Sequence, residues 1–119
     1  METPELAELI SLFEDEPTSA DEDLTWPVGL QSFRLRRGSR EVLFSLDPMS
    51  GEAYLTMFEG GEEAISLGRL RKLEALTVEK RDEYEGLVLR FNSEEFDPLY
   101  LQTRPVIRLS WNVMALGVW

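Results

Sequence analysis

The sequence contains no cysteine and no histidine. Those two absences remove thiolate nucleophiles, disulfides, cysteine-ligated zinc, imidazole bases and histidine-held metals together. Lysine is nearly missing as well: Lys72 and Lys80 are the only two, and the other ten of the twelve bases are arginine. No glycine-rich phosphate loop followed by lysine occurs, and no nucleophile elbow. The apolar runs are broken by charge within a few residues, far short of the ~20 that cross a bilayer as a helix. The opening Met1-Glu2-Thr3-Pro4-Glu5 lacks the basic and apolar regions of a secretory signal. The expected compartment is the cytoplasm, with which the lack of cysteine agrees. No segment carries a recognisable family signature.

What is present fits one folded domain. The chain has 119 residues, 43% apolar and 29% charged, enough to bury roughly two-thirds of its unfolded surface around a core. Its net charge of −11 is unevenly spread. Residues 1–24 hold nine acids and no base, and residues 25–119 hold fourteen acids against twelve bases, so the leader carries −9 and the remainder −2. The division predicted is a helix over 1–14, an acidic linker over 15–24 and a β body over 25–119.

Thr3 is the expected N-cap, with Pro4 in the first helical position and Glu5 near the positive end of the helix dipole. Leu6, Leu9, Ile10 and Phe13 then repeat with helical spacing and form one apolar stripe. So short a helix is marginal alone in water and must dock, most simply on its own sheet. The run EDEPTSADEDL (14–24) has almost nothing to bury and reads as a mobile, solvated connector.

Beyond it the period changes to two. Phe33 and Leu35 alternate with Arg34 and Arg36, Gly38-Ser39 suits a type II′ hairpin turn, and Val42–Leu46 returns. Further strands are expected at 52–58, 64–67, 86–91, 99–103 and 106–111. RLRKLEALTVEK (69–80) is read as ending in a strand, with room for one helical turn at its start. Trp26, Phe44, Tyr54, Phe58, Phe91, Tyr100 and Trp111 are assigned to the core. The fold class that results is α+β, mainly β: an N-terminal amphipathic helix packed on a curved antiparallel meander of about seven or eight strands, an open sheet or partial barrel.

For function, an enzyme would need carboxylates, tyrosines, a serine or a lysine. Adjacent acids such as Glu62-Glu63 and Glu94-Glu95 read as solvated loop charge, and neither DPMSGE nor DED has the acid spacing of a calcium loop. No cofactor or metal site is expected. Nucleic-acid binding is disfavoured because the β body is not net basic. The expectation is therefore a non-catalytic protein-binding module, an antagonist, adaptor or assembly factor that meets a basic partner through acidic surface. A narrower version has that surface mimic nucleic acid. The candidate partner-binding residues are Glu14, Asp15, Glu16, Asp21, Glu22, Asp23, Arg34, Arg36 and Trp119. Arg34 and Arg36 can form a basic patch, or pair across strands with acids such as Glu41, Glu52, Glu79 or Glu85. The apolar ending WNVMALGVW can tuck across the domain or join two copies in a homodimer. The alternatives are a small-molecule or lipid-binding β domain with an apolar pocket, and an enzyme using carboxylates.

Overall fold

The computed structural model describes residues 1–19 and 21–113. One helix, α1 (Leu6–Phe13), precedes nine strands: β1 (Thr18–Ser19), β2 (Gln31–Arg37), β3 (Arg40–Asp47), β4 (Glu52–Glu59), β5 (Glu62–Leu70), β6 (Leu73–Arg81), β7 (Tyr84–Phe91), β8 (Phe96–Arg104) and β9 (Arg108–Val113). The strands run as an antiparallel meander divided into two open sheets, β1-β2-β3-β4-β5 and β6-β7-β8-β9. The fold is thus the expected helix on antiparallel β structure. The meander does not stay one sheet, because it turns a corner at Arg71-Lys72, where Lys72 is left-handed (φ 61°). The corner is held by the β3–β4 turn at the same end of the first sheet, where the Leu73 N–H donates to the carbonyl of Gly51 at 3.0 Å. Gly51 itself has φ 69°, and a Cβ there would lie 3.1 Å from the Leu73 carbonyl oxygen, so only glycine suits this crossing. No helical turn forms around Arg69; β5 continues through it.

Tight turns set the register of each hairpin. Arg37 pairs with Arg40 across Gly38-Ser39, and φ is positive at Gly38 (60°) but not at Ser39, the signs a type II′ turn requires. Glu59 faces Glu62 across Gly60-Gly61, both with positive φ. Alternation along β2, β3 and β4 sends Phe33, Leu35, Val42, Phe44, Leu46, Ala53, Leu55 and Met57 inward, where they meet Leu76, Leu87, Leu89, Leu99, Leu101 and Ile107 of the second sheet and its β8–β9 turn. Tyr54 and Tyr100 take the opposite parity and lie exposed on the outer faces of the sheets, and Phe58 is half-buried there, so these three do not fill the core as expected. Phe44 does, and Trp26, Phe91 and Trp111 pack against its edge.

The helix lies against β2 and β6, one strand from each sheet. Its buried residues are Leu9, Leu12 and Phe13, with Leu6 packed alongside. The Phe13 ring stacks on Phe33 at 5.1 Å and on Phe44 at 6.2 Å between centroids. Two boundaries differ from expectation. The helix begins at Leu6 with Glu5 as N-cap and no side-chain capping bond, rather than behind Thr3. The residues before it are extended, because Glu2 forms a parallel bridge with Ala75: its N–H donates to the Glu74 carbonyl at 3.0 Å and its carbonyl accepts from Leu76 at 2.8 Å. The linker, in turn, is tied down. Thr18 and Ser19 pair with Ser32 and Gln31, and buried Gln31 donates to Ser19 Oγ (3.2 Å) and to the Val28 carbonyl (3.0 Å). Trp26 Nε1 donates to the Pro4 carbonyl at 3.0 Å.

The helix is therefore built into the core. Phe13→Ala should lower the unfolding free energy by about 3–5 kcal/mol, as for other fully buried phenylalanines, measured by urea denaturation followed by tryptophan fluorescence. A loss under about 1 kcal/mol would mean that the stripe is not part of the core.

Candidate partner-binding surface

All nine acids of the leader are exposed: Glu2, Glu5 and Glu8 before and on α1, Glu14, Asp15 and Glu16 after it, and Asp21, Glu22 and Asp23 beyond β1. Burying Leu9, Leu12 and Phe13 turns Glu8, the one acid within α1, toward water. Among the described residues, Glu14 alone of the nine forms an ion pair. The other eight charges are held on the surface by the backbone constraints of the leader without being neutralised. Short local bonds shape the loop: the Asp21 carboxylate accepts from the Asp23 N–H at 3.0 Å, and Ser19 Oγ donates to the Asp21 carbonyl at 2.6 Å.

Glu14 has a different role from its neighbours. It is the C-cap of α1, in the left-handed region (φ 61°), where a negative charge faces the negative end of the helix dipole. Two arginines offset that. Its Oε2 accepts from Arg37 Nη2 at 2.6 Å and from Arg104 Nη2 at 3.0 Å. Arg37 extends further, donating through Nε to the Thr103 carbonyl, while Arg40 Nη1 donates to the Ile107 carbonyl at 2.8 Å and Arg40 Nε to Glu59 at 2.7 Å. Arg104 Nε lies 3.4 Å from Glu85 Oε2, close enough for charge attraction but without hydrogen-bond geometry. The β2–β3 hairpin, the β8–β9 end of the second sheet and the end of the helix are thus joined by three arginines. Glu14 belongs to this structural network, and the hydrogen bond from Arg37, outweighing its slight burial, holds its carboxyl below the usual value of 4.5.

Of the two candidate arginines, Arg36 pairs across the strand with Glu41 at 3.2 Å, the cross-strand alternative. Arg34 is exposed on the same outer face, and no ion pair involves it among the described residues. The pair projects from the outside of the first sheet, separate from the leader's loop acids, which follow the α1 and β1 edge; the leader reaches the arginines only through Glu14, and there it meets Arg37 and Arg104. Trp119, with Met114, Leu116 and Val118, lies outside the described residues.

The outer face of the second sheet holds a feature that the strand pattern alone did not reveal. Gly86 pairs with both Glu79 and Gln102, and its missing side chain leaves a hollow of about 340 Å³ lined by Tyr84, Val88 and Tyr100, with Glu79, Arg81 and Gln102 around it. The bare position is enforced, since a Cβ on Gly86 would lie 2.4 Å from the Leu101 carbonyl oxygen. A polar hollow of about 440 Å³ lies beside Gly38, Gly60 and Gly61 at the hairpin tips. Between the sheets, by contrast, Phe13, Phe33, Phe44 and the leucines of both sheets are fully buried, so the interior is packed by side chains rather than open to a lipid. No group of three acids is placed to hold a metal ion among the described residues, and no helix there is long and apolar enough to cross a membrane.

Because the folded-state pKa of Glu14 is depressed, its ion pairs add stability that is present above pH 4.5 and lost as the pH falls through the lower folded-state value. Glu14→Gln should therefore lower stability at pH 7 by up to about 1 kcal/mol, the range of exposed pairs. The gap between the variant and the parent should close as the pH is taken well below 4.5, measured by parallel urea titrations. A pH-independent difference would remove the ion pairs as its cause.

No protein-family model matches the sequence, and no curated protein is detectably similar to it. Among solved structures, the fold is shared with a chain of one described as a contact-dependent growth inhibition toxin–immunity protein complex from Klebsiella pneumoniae 342. The TM-score is 0.80 over 93% of this chain and 95% of that one, at 18% sequence identity. At that identity the likeness is one of fold.

Proposed function

We propose that this chain is a non-catalytic protein-binding antagonist of the immunity-protein kind, and that it meets a basic protein partner through the acidic edge formed by α1 and the segment that follows it. The observation that carries the reading is the eight exposed leader acids that no base neutralises among the described residues, held in place by a buried helix, a bridge to β6 and a short strand. Concentrated, preorganised charge speeds association with an oppositely charged surface and rejects like-charged competitors. Preorganisation adds to this, because a leader already ordered loses little entropy on binding.

The shared fold adds support of a second kind, since the similar chain was solved in a toxin–immunity protein complex and nearly its whole length is matched. A small, separately folded protein that blocks a toxin needs a surface and no chemistry. The buried polar side chains among the described residues are Gln31 and Thr103, neither of them a carboxylate. The signature of acid–base catalysis, a desolvated carboxylate in a cleft, is therefore missing there. A lipid carrier is not supported either, given the filled interior.

The interaction centre is assigned to Asp15, Glu16, Asp21, Glu22 and Asp23, with Glu8 on the exposed face of α1 as a further charge. Glu14 serves to fix the end of the helix, and Arg34 and Arg36 lie outside the contact. The test is capture of partners from the native lysate by the immobilised chain. Replacing Asp15, Glu16, Asp21, Glu22 and Asp23 with their amides should leave the urea midpoint within experimental error and cut capture at least about tenfold. Raising the salt from about 0.05 to 0.5 M should do the same to the parent. Capture that survives both changes would overturn the assignment.

A further inference from the structure

Strand β5 is the free edge of the first sheet. It pairs with β4 on one side, and among the described residues no strand pairs with the other. Seven of its first eight residues are exposed, including Ile65 at 39%, and only Leu70 at its end is buried. A nine-residue edge with unused N–H and C=O groups is a template for another strand.

The sequence of that edge is complementary to itself. Taken antiparallel about Ser66, Glu63 falls opposite Arg69, Ala64 opposite Gly68, and Ile65 opposite Leu67, with Ser66 opposite itself. The faces agree. Ile65 and Leu67 pair with Met57 and Leu55, both buried, and so lie on the core side. Glu63 pairs with Phe58, and Arg69 reaches Glu52 at 3.0 Å, both on the outer side. The two β-bulges of this strand are also placed symmetrically, one between Glu63 and Ile65 and one between Leu67 and Leu70, so each bulge would face the other across a twofold axis. Arg69 engages Glu52 through Nε and has the Tyr54 hydroxyl as a second partner, and its guanidinium carries further N–H donors.

We infer that β5 pairs with β5 of a second copy of this chain about a twofold axis at Ser66, which joins two five-stranded sheets into one of ten strands. In that register, Glu63 of each copy meets Arg69 of the other on the outer face, and Ile65 meets Leu67 on the core face, so charge and apolar contact are satisfied together. Beside Ile65 on the edge, a shallow hollow lined by Met57, Ala64 and Leu109 offers further apolar surface to the second copy. The interface is at the opposite edge of the sheet from β1. The acidic leaders would stand at the two ends of the joined sheet, clear of one another and free for partners.

The sequence has no cysteine, so Ser66→Cys introduces one thiol per chain, and a disulfide can form only between copies. Directly opposed residues of an antiparallel pair have Cβ atoms about 4.5–5.5 Å apart, near the spacing of a disulfide. Mild oxidation should convert the Ser66→Cys protein to a covalent dimer, while a Ser50→Cys control in the β3–β4 turn stays largely monomeric. Light scattering across a dilution series should show the parent passing from twice the chain mass to the chain mass. Glu63→Arg and Arg69→Glu should each weaken this dimer about tenfold or more, and mixing the two variants should restore it, because the mixed pair alone recovers both charge contacts. A parent that stays monomeric throughout, cross-linking equal at Ser50 and Ser66, or a mixture no tighter than its components would overturn the inference.

Discussion

The structure depends on the docking of α1 between the two sheets. Neither sheet is closed, and without the helix the apolar sides of β2 in one and of the edge strand β6 in the other would be exposed. Leu9, Leu12 and Phe13 fill that gap, and the Phe13 ring against Phe33 and Phe44 ties the helix to the centre of the first sheet. An isolated helix of eight residues would not persist in water. It exists because burial supplies what propensity does not, and no capping side chain assists it. Once the stripe is fixed, Glu8 on the other side of the helix is turned to water.

The acidity is therefore a structural property as much as a compositional one. Nine acids in the first 24 residues suggest a detachable, solvated tail. The structure instead anchors the segment at Glu2, along α1, at Glu14, through β1 and at Trp26, and leaves its carboxylates facing water. Glu14 shows how the two parts meet: a carboxylate in an unfavourable place at the end of a helix is tolerated because Arg37 and Arg104 converge on it. Arg37 and Arg40 also reach backbone carbonyls of the β8–β9 end, so the junction locks the sheets together and gives the charged edge a rigid base.

Much of the architecture was legible because its causes are local. The period-two alternation at Phe33, Leu35, Val42 and Phe44 and the turn at Gly38-Ser39 marked the first strands, and the helical spacing of Leu6, Leu9 and Phe13 marked the helix. What escaped depends on partners distant in sequence. Thr3 has the chemistry of an N-cap, but the bridge from Glu2 to Ala75 draws the chain into an extended path and delays the helix. Tyr54 and Tyr100 are good strand residues, yet which side of a strand is inward is decided by the facing sheet. The corner at Lys72 is a left-handed residue that no residue type there announces. In the candidate surface, the leader acids were visible as composition, whereas the pairing of Glu14 with Arg104, ninety residues away, and the hollow over Gly86 were not.

The described residues of the acidic leader are an integral, ordered part of the fold. Native-state hydrogen exchange of the backbone amides tests this most directly. Slow exchange at Leu9, Leu12, Phe13 and Leu76, with opening free energies near those of Phe44 in β3 and Leu89 in β7, is the predicted result. Exchange at the helix amides close to the rate of an unstructured peptide, while β3 and β7 remain protected, would contradict it.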